Sequence, residues 1–211
     1  MSHENIGISK NIYDVFKNCS GEYIAVLEGD DYWLDKSKLK KQLKILHDGG
    51  YVATASNLLI VDGEGKPTGE YLHKNWKDRI FTKKEVEKYQ TSLLMPSSLF
   101  FKNVFLDSGE KYAVIRDASK FGGSHSGMIN LLGSIGNIYY MSDCLAVWRK
   151  VTSGGLNFSS RKKKGILDEY DQLHKYYVYK KEFGMDYGKQ IRSNFSSCIS
   201  VLTDELEAQV G

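Results

Sequence analysis

Apolar and polar positions alternate along this chain in a way that predicts short strands interleaved with amphipathic helices. Residues 7–19 place Ile8, Ile12, Val15 and Phe16 on one helical face. Gly21 breaks that pattern, and residues 22–28 form a β-branched, aromatic-rich strand. Asp35 stands at a helix-cap position. The basic helix after it turns Leu39, Leu43 and Leu46 inward and Lys36, Lys38, Lys40, Lys41 and Lys44 mostly outward. Gly49 and Gly50 end that helix, and residues 51–61 form a second buried strand closed by the turn Asp62-Gly63-Glu64-Gly65. Thr82-Lys83-Lys84-Glu85 is a capping box that opens a short helix. Ser97 to Phe101 reads as a strand and 125–135 as a helix, entered through the polar, glycine-rich loop Gly122 to Gly127. Ile138 to Met141 and Leu145 to Trp148 read as two further short strands. After Ser160 the texture changes. One helix carries Ile166, Tyr170, Leu173 and Tyr177 on a single face, and a second carries Ile191, Phe195, Ile199 and Leu202. Together they predict a helical hairpin packed on an α/β body, a mixed sheet flanked by helices.

The densest chemistry lies where the first strand stops. The apolar run Tyr23-Ile24-Ala25-Val26-Leu27 passes into Glu28-Gly29-Asp30-Asp31-Tyr32-Trp33. α/β sheets bind ligands beyond the carboxyl ends of their strands. Carboxylates crowded at such an edge repel one another unless a cation or proton sits between them, and hard oxygen ligands suit Mg²⁺ or Mn²⁺ shared with substrate phosphates. Gly-Asp-Asp is equally good turn chemistry. The pattern alone leaves the two readings level.

Composition narrows the class without changing the fold. The 211 residues suffice for one sizeable core, with 41% hydrophobic and 26% charged residues. A net charge of +3 is too small to argue for nucleic acid. Cys19, Cys144 and Cys198 are scattered and odd in number, which fits reduced thiols in a cytoplasmic setting. No apolar run reaches a membrane span, so any membrane association is expected to be peripheral. The basic run Arg161-Lys162-Lys163-Lys164 reads either as a solvated helix start or as a contact with an anionic membrane surface.

Four segments, in order, resemble family 2 glycosyltransferases of the GT-A fold: Asn5-Ile6-Gly7, Glu28 to Trp33, Met95-Pro96-Ser97-Ser98-Leu99-Phe100-Phe101, and Gly136 to Tyr140 with Leu145-Ala146-Val147-Trp148-Arg149. The resemblance covers residues 4–158 and implies a GT-A-like, partial Rossmann-like domain over 1–158, followed by a helical segment over 159–211. It implies transfer of a sugar from a nucleotide-sugar donor to a saccharide or lipid-linked acceptor, with Mg or Mn as cofactor. By that resemblance Asp30 and Asp31 hold the metal, and Asn5, Glu28, Asp30 and Arg149 face the donor.

The chain departs from the family pattern in three places. The family's opening strand-helix-strand unit, which binds the nucleotide base, has no counterpart before Asn5, so no base-recognition residue carries over. A fragment, a degenerate member, or a chain whose absent strands come from a partner would each show this. Family members place an acid eleven residues before the glycine of Gly-x-Ile-x-Tyr; counting back from Gly136 reaches His125. A histidine can deprotonate a hydroxyl near neutral pH, and Asp117 is the spare candidate for that base. Val151 stands where many members carry a histidine near the metal. The rival readings are a truncated, non-catalytic glycosyltransferase-like protein and a Mg-dependent nucleotidyl transferase or phosphohydrolase. The second would need a Gly-rich phosphate loop or further carboxylates, and neither stands out.

Overall fold

The structure, a computed structural model, describes residues 6–89, 94–120, 124–151 and 166–210. Helix α1 (Ile8–Lys17) leads into strand β1 (Tyr23–Ala25), then the two-residue strand β2 (Tyr32–Trp33) and helix α2 (Lys38–Gly49). Strand β3 (Ala53–Val61) turns into β4 (Pro67–Tyr71), followed by β5 (Arg79–Phe81) and helix α3 (Lys83–Tyr89). A 3-10 turn at Pro96–Ser98 precedes β6 (Phe100–Lys102), and a 3-10 helix spans Ala113–Lys120. Helix α4 (Ser124–Ile135), strand β7 (Ile138–Arg149) and helices α5 (Ile166–Phe183) and α6 (Gly188–Val210) complete the order.

The strands form one mixed sheet in the order β1-β6-β3-β7-β2, with β4 added on β3 and β5 on β7. The central pair, β3 and β7, is parallel from Ala53↔Ile138 to Val61↔Arg149, with a register shift around Asn57. β7 is one strand of 12 residues, not the two short strands that the sequence pattern predicts. The polar stretch Ser142-Asp143-Cys144 reads as a break but is absorbed by that shift. The outer edge of β7 then serves two partners. Its first half pairs with β5 (Phe81↔Ile138) and its second half with β2 (Trp33↔Ala146). The expected strand over 22–28 is shorter, because the chain leaves β6 after Ala25. The expected strand over Ser97 to Phe101 begins only at Phe100, since Pro96 opens a 3-10 turn there.

Successive side chains on β6 point to opposite faces. Phe101 enters the main core with Tyr13 and Phe16 of α1, Val86 of α3, Met128 and Leu132 of α4, and Tyr176 and Tyr179 of α5. On this side Phe16 packs edge-on against Phe101 and stacked against Phe105. α2 lies against β3 and β6 with Leu46 fully buried, outside that cluster.

Four helices are turned from the faces their apolar residues predict; in α6, Phe195, Ile199 and Leu202 are exposed. In α1, Ile8 and Val15 are exposed while Ser9, Tyr13 and Phe16 are buried. In α2, Leu39 and Leu43 are partly exposed while Lys38, Gln42 and Leu46 are buried. In α5, Tyr170 and Tyr177 are exposed while Tyr176, Tyr179 and Phe183 are buried. The two buried aromatics of α1 offer the sheet more apolar area than Ile8 and Val15 would. Half of the capping box forms: the Glu85 carboxylate accepts the Thr82 N–H at 3.2 Å, while the Glu85 N–H goes to the Thr82 carbonyl at 2.9 Å rather than to its hydroxyl. Asp35 stands two residues before the cap position of α2. Its carboxylate accepts both the N–H and the hydroxyl of Ser37, the residue that precedes α2.

Tyr187, just before α6, donates its buried hydroxyl to Asn130 Oδ1 of α4 at 2.7 Å. Tyr187→Phe leaves that oxygen without its donor and should lower stability by about 1–3 kcal/mol. Because Tyr176, Tyr179 and Tyr187 lie in the common core, calorimetry should show the loss in a single transition. A separate low-temperature transition would mark the C-terminal helices as a unit of their own.

Candidate active site

β1, β3 and β7 run in the same direction, because β6 is antiparallel to both β1 and β3 while β7 is parallel to β3. Their carboxyl ends share one edge of the sheet, where α/β folds receive ligands. Glu28, Asp30 and Asp31 follow β1 at this edge. The turn containing Gly63 follows β3, and Arg149 is the last residue of β7.

Asp31 is buried, and both of its carboxylate oxygens are engaged. Oδ2 accepts the Ser97 hydroxyl at 2.6 Å, and Oδ1 accepts the Arg149 backbone N–H at 2.9 Å. Ser97 Oγ in turn accepts the Glu28 N–H at 3.0 Å. The Arg149 guanidinium donates through Nε to the Asp30 carbonyl at 2.9 Å and through Nη1 to the Gly63 carbonyl at 3.0 Å. The acidic loop, the 3-10 turn before β6, the β3–β4 turn and the end of β7 are thereby tied together. Asp30 itself is exposed.

The electrostatics separate the acids. Burial pushes the Asp31 carboxyl up. The hydrogen bonds from Ser97 and Arg149 pull it back, Asp30 adds to the rise, and the Arg149 charge lowers it. Glu28 lacks such compensation. Burial first, then the neighbouring charges of Asp31 and Asp30, push its carboxyl up to about 7. Among the described residues no three His, Cys, Asp or Glu side chains gather into a metal cage. Mg²⁺ ordinarily takes one or two carboxylates and completes its shell with water and substrate phosphates. A pair of hard oxygen donors beside an acid with uncompensated negative charge fits such an ion.

His125 lies in the first turn of α4, and its Nε2 is hydrogen-bonded to the Leu94 carbonyl. Leu94 is three residues before Ser97, so the imidazole is fixed to the segment that clamps Asp31. With Nε2–H donating to a carbonyl, Nδ1 keeps the lone pair. Burial lowers the imidazole pKa, partly offset by the Leu94 carbonyl, so the ring is neutral at pH 7. Asp117 is an exposed residue of the 3-10 helix Ala113–Lys120. Asn5 lies outside the described residues.

Sequence reasoning missed Ser97 as the partner of Asp31, and the polar pair behind it. Gln42 Nε2 donates to the Ser98 carbonyl at 2.9 Å. Lys38 Nζ donates to Gln42 Oε1 at 2.7 Å and sits 4.8 Å from the Trp33 ring centroid. Lys38 is only 1% exposed, and burial lowers its pKa to about 8. The available signal was the i, i+4 spacing of Lys38 and Gln42, a polar pair on the face that Leu46 buries.

The model of Glycosyl transferase family 2 matches residues 1–108, which includes the acidic loop and the Ser97 turn. The chain belongs to this family. Among solved structures it is similar to S. aureus TarS 1-349 in complex with UDP-GlcNAc, with a TM-score of 0.51 and 14% identity, covering 90% of this chain and 50% of that one. At that identity the likeness shows the fold, a GT-A-like mixed α/β architecture. Among curated proteins, a stretch of 42 residues is 55% identical to Uncharacterized protein Rv1520 of Mycobacterium tuberculosis and to Uncharacterized protein Mb1547 of Mycobacterium bovis. That stretch is 20% of this chain and 12% of each relative, and the chain spans half the length of the TarS structure.

Glu28 gives this edge a pH signature. Its folded pKa of about 7 stands above the ordinary 4.5, so the folded state holds the proton more tightly. Stability present below pH 4.5 is then lost as pH rises through 7. Glu28→Gln should match the parent at pH 4 and exceed it by roughly 2–3 kcal/mol at pH 8. Urea denaturation at the two pH values checks this; equal offsets at both would remove the strained carboxyl.

Proposed function

We propose that this chain transfers a sugar from a nucleotide-sugar donor to a saccharide or lipid-linked acceptor, with the acidic edge after β1 as the donor site. The observation that carries the reading is the clamp on Asp31. Ser97 and the Arg149 backbone fix a buried carboxylate at the ligand-binding edge of the sheet, beside two further acids. A structural turn has no need for this concentration of negative charge.

Asp30 and Asp31, with Glu28 alongside, would hold Mg²⁺ or Mn²⁺, which supplies positive charge against the donor diphosphate. Asp31 serves as the fixed reference, since both its oxygens are already oriented by hydrogen bonds. Asp30 is the exposed acid and the one that meets solvent and ligand. Arg149 lends its charge to the same edge while bridging the Asp30 and Gly63 carbonyls. His125 takes the acceptor hydroxyl proton at Nδ1, the nitrogen that Leu94 does not occupy. Among the described residues no helix is long and apolar enough to cross a membrane.

The test is release of nucleoside diphosphate from a panel of uridine, guanosine and thymidine diphosphate sugars, in Mg²⁺ or Mn²⁺ and in chelator. UDP-GlcNAc, the ligand in the TarS complex, comes first. Asp30→Ala should reduce turnover by about 10²–10³-fold, the scale of losing one electrostatic contact to developing charge. His125→Ala should reduce kcat by about 10²–10⁴-fold with donor KM unchanged. Near-normal turnover in the histidine variant moves the base to Asp117. Hydrolysis of simple phosphoesters without sugar transfer would favour the phosphohydrolase reading.

A further inference from the structure

We infer that Gln42 of α2 is a positioning residue for Asp31, acting through the Ser97–Ser98 turn, with Lys38 setting the direction of its amide; this rests on the donor-site reading above, in which Asp31 is the fixed carboxylate. Gln42 is fully buried and lies 56 positions from the turn it holds. Its Nε2 donates to the Ser98 carbonyl at 2.9 Å, and its Oε1 accepts Lys38 Nζ at 2.7 Å. An ammonium can only donate and a carbonyl can only accept, so one orientation of the amide satisfies both partners. The turn is bonded internally through the Met95 and Pro96 carbonyls, which accept the Ser98 and Leu99 N–H groups. The Ser98 carbonyl is where α2 grips it. On the residue before that carbonyl, the Ser97 hydroxyl donates to Asp31 Oδ2 at 2.6 Å. A shift of the turn carries the hydroxyl with it.

The same pair reaches Asp31 from the other side. Lys38 Nζ sits 4.8 Å from the ring centroid of Trp33, two residues after Asp31, and Trp33 pairs with Ala146 of β7. β7 then supplies the Arg149 N–H to Asp31 Oδ1. One helix face therefore touches both flanks of the carboxylate. Packing alone does not account for that face. Lys38 and Gln42 are 1% and 0% exposed, while their sequence neighbours Leu39 and Leu43 are 38% and 40% exposed. Turning the leucines inward would bury more apolar area and spare the desolvation of an ammonium. What the polar face supplies is direction, because a satisfied hydrogen-bond network specifies one geometry.

Amide hydrogen exchange of the full chain, followed by NMR, tests the role. Gln42→Glu keeps the shape and the Lys38 contact but sets an oxygen against the Ser98 carbonyl. The Glu28 N–H, which donates to Ser97 Oγ, and the Arg149 N–H, which donates to Asp31 Oδ1, should then exchange about tenfold faster, the scale of one lost hydrogen bond. The Lys150 N–H, one residue further on and bonded to the Val61 carbonyl, should keep its parent rate. That contrast separates a loosened clamp from a loosened sheet. K38M/Q42L replaces both polar groups with apolar ones of similar size; it should show the same two fast amides with a thermal midpoint near the parent's. Parent-like exchange at Arg149 in either variant overturns the inference, and so does equal acceleration at Lys150. Titration with Mn²⁺ alone, read by electron paramagnetic resonance of the free ion, keeps the underlying reading separate. The parent should bind, and both variants should bind about tenfold more weakly. Variants that match a binding parent overturn the inference by itself. A parent that takes up no Mn²⁺ removes the cation site, a failure of the donor-site reading that the amide rates distinguish from a failure of the clamp.

Discussion

The carboxylate of Asp31 is the constraint on which this edge of the molecule depends. A buried ionised acid is costly unless its oxygens are hydrogen-bonded. Here the donors come from two distant parts of the sequence, the Ser97 hydroxyl and the Arg149 backbone. Satisfying them forces the loop after β1 to lie between the 3-10 turn before β6 and the end of β7. That fits β1 stopping at Ala25 and β2, which starts directly after Asp31, pairing with the second half of β7. Ser97 works twice, since the same oxygen accepts the Glu28 N–H. Removing either partner would leave a buried charge half-satisfied, which is far more costly than the hydrogen bond is stabilising.

Much of the fold was legible as periodicity. The helices, the strands β1, β3 and β6, the α2 stop at Gly50 with its left-handed backbone, and the turn after β3 followed from local chemistry, whereas the short strands β2, β4 and β5 did not. The faces of the helices did not, because hydrophobicity ranks Leu above Lys without knowing what lies opposite. Lys38 and Gln42 are buried in place of Leu39 and Leu43 because the Ser98 carbonyl and the Trp33 ring meet them there. Ser98 lies 56 positions from Gln42, too far along the chain for the local pattern to show it. β7 was split in the reading for a similar reason. Ser142 looks like a break, yet Asp78 accepts both its N–H and its hydroxyl, so the polar residue stays within the strand.

The acidic run was also legible, since three carboxylates in four residues after an apolar strand have few uses. What each carboxylate does was not. The sequence treats Asp30 and Asp31 as equivalents. The structure makes one a buried anchor and leaves the other in solvent. His125 shows the same limit. Counting along the chain reached the residue, but its fixed tautomer comes from the Leu94 carbonyl, 31 positions away. The lowered basicity of its ring is due mainly to burial.

The division among the acids has a chemical consequence. A carboxylate held by a hydrogen bond on each oxygen is a well-oriented ligand, although burial still raises its pKa. A carboxyl raised to about 7 is neither fully charged nor fully neutral at physiological pH. Glu28 therefore adjusts the charge of the edge to what occupies it. With nothing bound, its proton relieves repulsion from Asp31 and Asp30. Under the proposed function, a cation held by Asp30 and Asp31 would lower that repulsion and release the proton, coupling ion binding to proton release. The clamp on Asp31 makes this coupling possible. If the acidic loop could relax, the three carboxylates would separate into solvent and Glu28 would return to its ordinary value. Because Ser97 and Arg149 hold the loop closed, the repulsion stays in the folded state and is relieved by a ligand of the right charge, which is how a preorganised site converts stability into binding.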